Sequence, residues 1–139
     1  MKKILLFIAF FYLIFMSAQE KKGNCKFDYQ VSLKNILEDE TKRIYKTQIF
    51  WDFSKLDNKI DCTIEIVPIR DCFNREDAIK FKETIFFSTK DKNFKDKDSK
   101  ELRIADFMTK CFKWRVIVVD PKTKCEEITD WKFNSFLNN

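Results

Sequence analysis

Apolar and polar residues alternate with a period of two through most of this chain, which is the pattern of strands with one buried face. In the run Tyr45-Thr47-Ile49-Trp51-Phe53 the odd positions are mainly apolar, with Lys46, Gln48 and Asp52 between them. Ile60, Cys62, Ile64 and Ile66 share one face, and Asp61, Thr63 and Glu65 the other. Pro68 should end or edge that strand, because it has no N–H to give to a ladder. Ile79, Phe81, Ile85 and Phe87 share a face interrupted by Glu83. Phe112, Trp114, Val116 and Val118 line one side of a strand whose other side carries Lys113 and Arg115, and Trp131 and Phe133 share a face of the last strand. With Lys26–Leu33 and Leu102–Phe107 this makes about seven strands. Turn residues separate them at Asp57-Asn58, Asp71 to Asn74 and Asp120-Pro121-Lys122, as does the charged segment Lys90 to Glu101. Short helical pieces fit Asn35–Thr41 and Arg75–Lys80. The pattern predicts an all-β fold, a single antiparallel β-sandwich.

The alternation does not reach the N-terminus. Met1, Lys2 and Lys3 are followed by an unbroken apolar run from Ile4 to Met16. As a helix that run reaches only about 20 Å, against a bilayer core of ~30 Å. It suits a signal-peptide helix better than a permanent span. The small residues Ser17 and Ala18 follow, and then the charged Glu20, Lys21 and Lys22. Residues 1–19 therefore read as a signal peptide cleaved after Ala18 or Gln19, and residues 20–139 as one secreted domain. The first cysteine, Cys25, follows Lys22-Gly23-Asn24 and so lacks a lipobox. The Ser17-Ala18-Gln19 ending resembles bacterial signal peptides, which implies a secreted or periplasmic location in a bacterial envelope. The membrane would be touched only transiently, through the leader.

Composition removes several function classes. The 27 Lys and Arg residues against 22 Asp and Glu give +5, and loss of Lys2 and Lys3 with the leader brings this to +3. So mild and well mixed a charge does not mark a nucleic-acid binder. The single glycine, Gly23, leaves no Gly-rich phosphate loop or dinucleotide fingerprint. The absence of histidine removes Ser-His-Asp and Cys-His catalysis and His-ligated zinc. No cofactor is implied.

The stretch Cys111-Phe112-Lys113-Trp114-Arg115-Val116-Ile117-Val118-Val119-Asp120 resembles the penultimate strand of fibronectin type III domains, and Trp131-Lys132-Phe133 resembles their final strand. The resemblance covers residues 111–136. It implies a fibronectin- or immunoglobulin-like sandwich and no catalytic residues, since that family serves mostly in binding and spacing. Fold alone does not fix function.

Five cysteines, at 25, 62, 72, 111 and 125, lie in the exported part, where disulfides are expected. Cys62 and Cys72 are not partners on this reading, because the extended chain between them outruns the ~7 Å a disulfide spans. A sandwich with 60–67 as its third strand and 112–120 as its sixth, antiparallel to each other, implies Cys62–Cys125 and Cys72–Cys111 bonds. Cys25 is then a free thiol.

Other candidate sites each have a plainer reading. Asp91 to Glu101 has calcium-loop ingredients in the wrong register, with no turn glycine, and fits a solvated loop. Trp51, Trp114, Trp131 and Tyr45 could form an aromatic platform, but each sits on the apolar side of its strand and fits core packing. Glu126 with Glu127, or Asp28 with Glu38, are the acid pairs a carboxylate-dependent hydrolase would need. The expected function is a non-enzymatic, adhesion-type binding domain that recognises a protein or glycan partner. A small secreted inhibitor presenting Lys90–Glu101, and the hydrolase, are the alternatives.

Overall fold

The computed structural model describes residues 25–41, 44–73 and 80–137. The expected leader and its expected cleavage site at Ala18 and Gln19 lie outside the described residues. So does the expected helix at Arg75–Lys80, apart from Lys80, which bridges to Ile69.

Among the described residues, eight strands and one short helix follow in order: β1 (Gln30–Asp39), β2 (Ile44–Asp52), β3 (Asp61–Ile69), β4 (Ile85–Ser88), β5 (Lys97–Leu102), α1 (Ile104–Phe107), β6 (Cys111–Asp120), β7 (Cys125–Ile128) and β8 (Lys132–Ser135). They form an all-β sandwich of two antiparallel sheets. The smaller sheet has the order β1-β2-β5. The larger runs β4-β3-β6-β7, with β8 also on β6.

The period-two pattern places the core. Thr47, Ile49, Trp51 and Phe53 of β2 and its flank face Cys62, Ile64 and Ile66 of β3 and Phe112, Trp114, Val116 and Val118 of β6, and all are buried. Trp51 stacks on Phe87 and Phe94 with ring centroids 5.7 and 5.4 Å apart. At the opposite end Phe107, Phe112 and Phe136 form a triad at 5.2–5.5 Å. A polar knot crosses the layers there. Thr47 Oγ1 donates to Asn35 Oδ1 (2.7 Å), and Asn134 Nδ2 on β8 donates to both (2.8 and 3.1 Å). A buried hydroxyl and two amides thus satisfy one another.

β7 and β8 are one strand broken by a bulge. β7 pairs Ile117 with Ile128, whereas β8 pairs Trp114 with Lys132, one residue out of step. Thr129 closes the gap: its N–H donates to Val116 O and its Oγ1 accepts from Val116 N–H, both at 3.0 Å. The extra residue flips the phase. Cys125, Glu127 and Thr129 fall opposite inward positions of β6, but beyond the bulge Lys132 and Asn134 do so. Trp131 and Phe133 are thereby carried to the outside.

Several expectations are corrected. Asn35–Thr41 is not helical, because β1 runs to Asp39 against β2 and Asn35 is held in the polar knot. The last five residues of the charged segment Lys90–Glu101 are strand, since Lys97–Leu102 forms the edge of the small sheet beside β2. The strand expected over Leu102–Phe107 stops at Leu102, and Asp106 turns back to accept the Arg103 N–H at the start of α1. Pro68 does not end β3, which pairs with β6 as far as Ile69. Pro68 O accepts from Phe81 N–H, on the side where β4 has already stopped. The missing N–H points the same way, so the β6 ladder loses nothing.

The disulfides are Cys25–Cys125 and Cys72–Cys111, with Cα separations of 5.8 and 5.7 Å. The expected Cys62–Cys125 bond does not form, and Cys25 is not the free thiol. Cys62 is, and it is buried. The reason is lateral. Cys62 pairs in register with Val118 of β6, and Cys125 lies on the far side of β6, opposite Asp120. Two strand spacings of ~4.8 Å put such positions roughly 10 Å apart, past the reach of a disulfide. Two disulfides indicate an oxidising environment.

Candidate functional site

The outward face of the larger sheet is assembled from the alternate residues of its strands. One row across it runs Phe86–Glu65–Arg115 and reaches Trp131 at the bulge. The next is Ser88–Thr63–Ile117–Ile128. A third is Val67–Lys113–Phe133. Phe86 is 54% exposed and Ile128 47%.

Trp131 is the hub of this face. The Arg115 guanidinium lies 4.4 Å and the Lys113 ammonium 4.9 Å from its ring centre. Arg115 Nε also donates to Glu65 Oε2 at 2.6 Å. The arginine is therefore held flat between a carboxylate and an aromatic face, a geometry suited to guanidinium. Beneath and beside Trp131, Val67, Ile69 and Cys111 form a second buried cluster with Cys72 and Phe133. The Cys72–Cys111 bond fastens the chain after β3 to the first residue of β6. That chain carries Phe73, 92% exposed, and leads to Phe81, 44% exposed, whose N–H is bound to β3. Of the seven large apolar residues exposed among those described, four (Phe73, Phe81, Phe86 and Ile128) lie on or beside this sheet. The arrangement sets apolar rings beside pre-positioned cations, and aromatic residues and arginine are enriched at protein interfaces.

The residues singled out from sequence are distributed differently. Trp51 and Trp114 are core, as packing on their apolar faces requires, and Tyr45 is half-buried. Trp131 is not in the main core, because the bulge turns it outward. Phe86 and the Glu65–Arg115–Trp131 stack were missed. Their only sequence trace is the polar phase of β3 and β6, which does not reveal that the two charges meet.

The acid pairs are not brought together. Asp28 pairs with Lys55 (2.9 Å), and Glu38 with Arg103 (3.7 Å). Glu127 accepts from Phe27 N–H (2.9 Å) and from the Tyr29 hydroxyl (3.2 Å), while Glu126 points to solvent on the other face. Burial, and then the Glu127 charge, push the Tyr29 phenol up to about 12. Asp91 caps a turn, accepting the Ser88 N–H. Among the described residues no three His, Cys, Asp or Glu side chains are grouped to hold a metal ion.

Comparison with known protein families, with curated proteins and with solved structures finds nothing that matches this chain.

Proposed function

We propose that the protein is a non-enzymatic, adhesion-type binding domain, secreted or periplasmic, that recognises a protein partner through the outward face of its larger sheet. The observation that carries this reading is the row Phe86–Glu65–Arg115–Trp131, where an exposed ring and a half-buried one flank a pre-ordered ion pair. The leader-like residues 1–19 and the two disulfides support export. Strand order supports a fibronectin-like assignment. The third and sixth strands lie side by side and antiparallel, and Cys111–Asp120 is the penultimate strand if β7 and β8 are counted as one.

Site-specific photocrosslinking in the envelope fraction tests it. A crosslinker at Phe86 is expected to give a discrete protein adduct that a crosslinker at Phe50, outward on the smaller sheet, does not. Joint Phe86→Ala and Trp131→Ala replacement should weaken capture of that partner by about tenfold or more. Equal adducts from both faces, or binding confined to a glycan panel, would reject the protein-partner reading.

A further inference from the structure

Each sheet of a sandwich ends in strands whose outer backbone groups have no ladder partner. Three of the four edges here are blunted. β5 carries Lys97, Asp98, Lys100 and Glu101, β4 has four residues, and the β7–β8 edge is broken by its bulge. β1 is different. It is ten residues long, pairs among the described residues only with β2, and from Gln30 to Leu37 carries one charge, Lys34.

Beside β1 the two sheets part. A slot of about 440 Å³ opens there, with Val31 and Ser32 on one lip and Thr129 and Lys132 on the other. Its floor is Trp114 and Val116, two residues of the main core. Both ends are tied. At one, Cys25–Cys125 and the Glu127 bonds to Phe27 and Tyr29 join the lips. At the other, Asn35 Nδ2 donates to Ser135 O (3.1 Å) and Asn134 reaches Asn35. The bulge lies in the far lip, between these ties. The slot is thus a window tied at both ends, with β1 residues 30–34 between the ties.

We propose that this window binds an extended peptide segment of a partner, added as a strand to the free edge of β1. Main-chain pairing to β1 would supply affinity, and alternate apolar side chains would enter over Trp114 and Val116. Charge selects further. Lys132 Nζ lies 4.9 Å from the Trp114 ring centre at the mouth, and no carboxylate pairs with it among the described residues. Glu127, at the tied end of the slot, is taken by its two donors. The segment should therefore carry an acidic residue among its apolar ones. This site is separate from the outward face of the larger sheet and does not depend on it.

The probe is a capped heptapeptide alternating Val and Thr with a central Asp, titrated into the disulfide-bonded protein and followed by amide NMR. Expected are shifts at residues 29–34 and 129–132, with slowed hydrogen exchange along β1. The same peptide with alternate amides N-methylated should bind at least about tenfold more weakly, because it cannot complete a ladder. Lys132→Glu should weaken the Asp peptide about fivefold and favour a Lys peptide instead. Equal binding of the N-methylated peptide, shifts confined to Phe86 and Trp131, or no shift at millimolar peptide would each overturn the proposal. So would a protein dimer held through β1, since a second copy would then be the occupant. None of these results bears on crosslinking from Phe86.

Discussion

Cys62 shows how one side chain's surroundings decide its chemistry. It is enclosed between the sheets, and burial, with smaller contributions from Asp61 and Asp96, pushes its thiol up to about 12. A thiol held protonated is a poor nucleophile. Iodoacetamide at pH 8 should therefore leave Cys62 unmodified in the native protein and label it only after denaturation, as read by mass spectrometry. Asp52 is the opposite case. Hydrogen bonds from Lys97 and Ser54 hold its carboxyl at about 2. A depressed folded pKa gives stability that is complete above the unfolded value near 4 and is lost as pH falls toward 2. Asp52→Asn should flatten that part of the melting-temperature profile. For Tyr29 the folded pKa is raised, so its contribution is complete below pH 10 and lost as pH climbs to 12. Tyr29→Phe should remove the late phenolate step from an absorbance titration.

Among the elements, the bulge and the short helix α1 carry the least regular chemistry. Replacing Thr129 by Val keeps its shape but leaves the Val116 N–H without its acceptor. That should cost about 1–3 kcal/mol in urea unfolding, while Thr129→Ser should cost less. Met108 ends α1 at φ 55°, the left-handed region that glycine occupies most easily. In a chain whose one glycine is Gly23, the position falls to an exposed methionine. Met108→Gly should raise stability by roughly 0.5–1 kcal/mol. Strands with two clearly different faces, β2, β3 and β6, were legible from sequence because burial and period agree there. β5 was not, since an edge strand exposed on several sides need not alternate, and a run of charges reads as loop. Trp131 was misplaced because one inserted residue reverses every side chain beyond it. An insertion of that kind leaves no mark in the alternation itself.

At the scale of the whole molecule, the sandwich was legible but its cross-links were not. The sandwich topology implied by the fibronectin-like resemblance put β3 beside β6. Choosing the partner of Cys125 required knowing which lateral side of β6 each cysteine occupied, and that the segment from Cys25 to Tyr29 lies along β7. Non-reducing peptide mapping should recover Cys25–Cys125 and Cys72–Cys111 pairs. By chain entropy, closing loops of 100 and 39 residues contributes about 4–5 and about 4 kcal/mol.

The longer of these bonds has a mechanical consequence. Tension applied upstream of Cys25 and downstream of Cys125 passes through the sulfur bridge and bypasses residues 26–124, which include β1 to β6. Only the last strand pieces bear load. In single-molecule pulling, the oxidised domain should lengthen by little more than its C-terminal residues. Reduction should release a further ~350 Å of hidden contour from the enclosed 100-residue span. A domain clasped in this way resists shear without paying out chain.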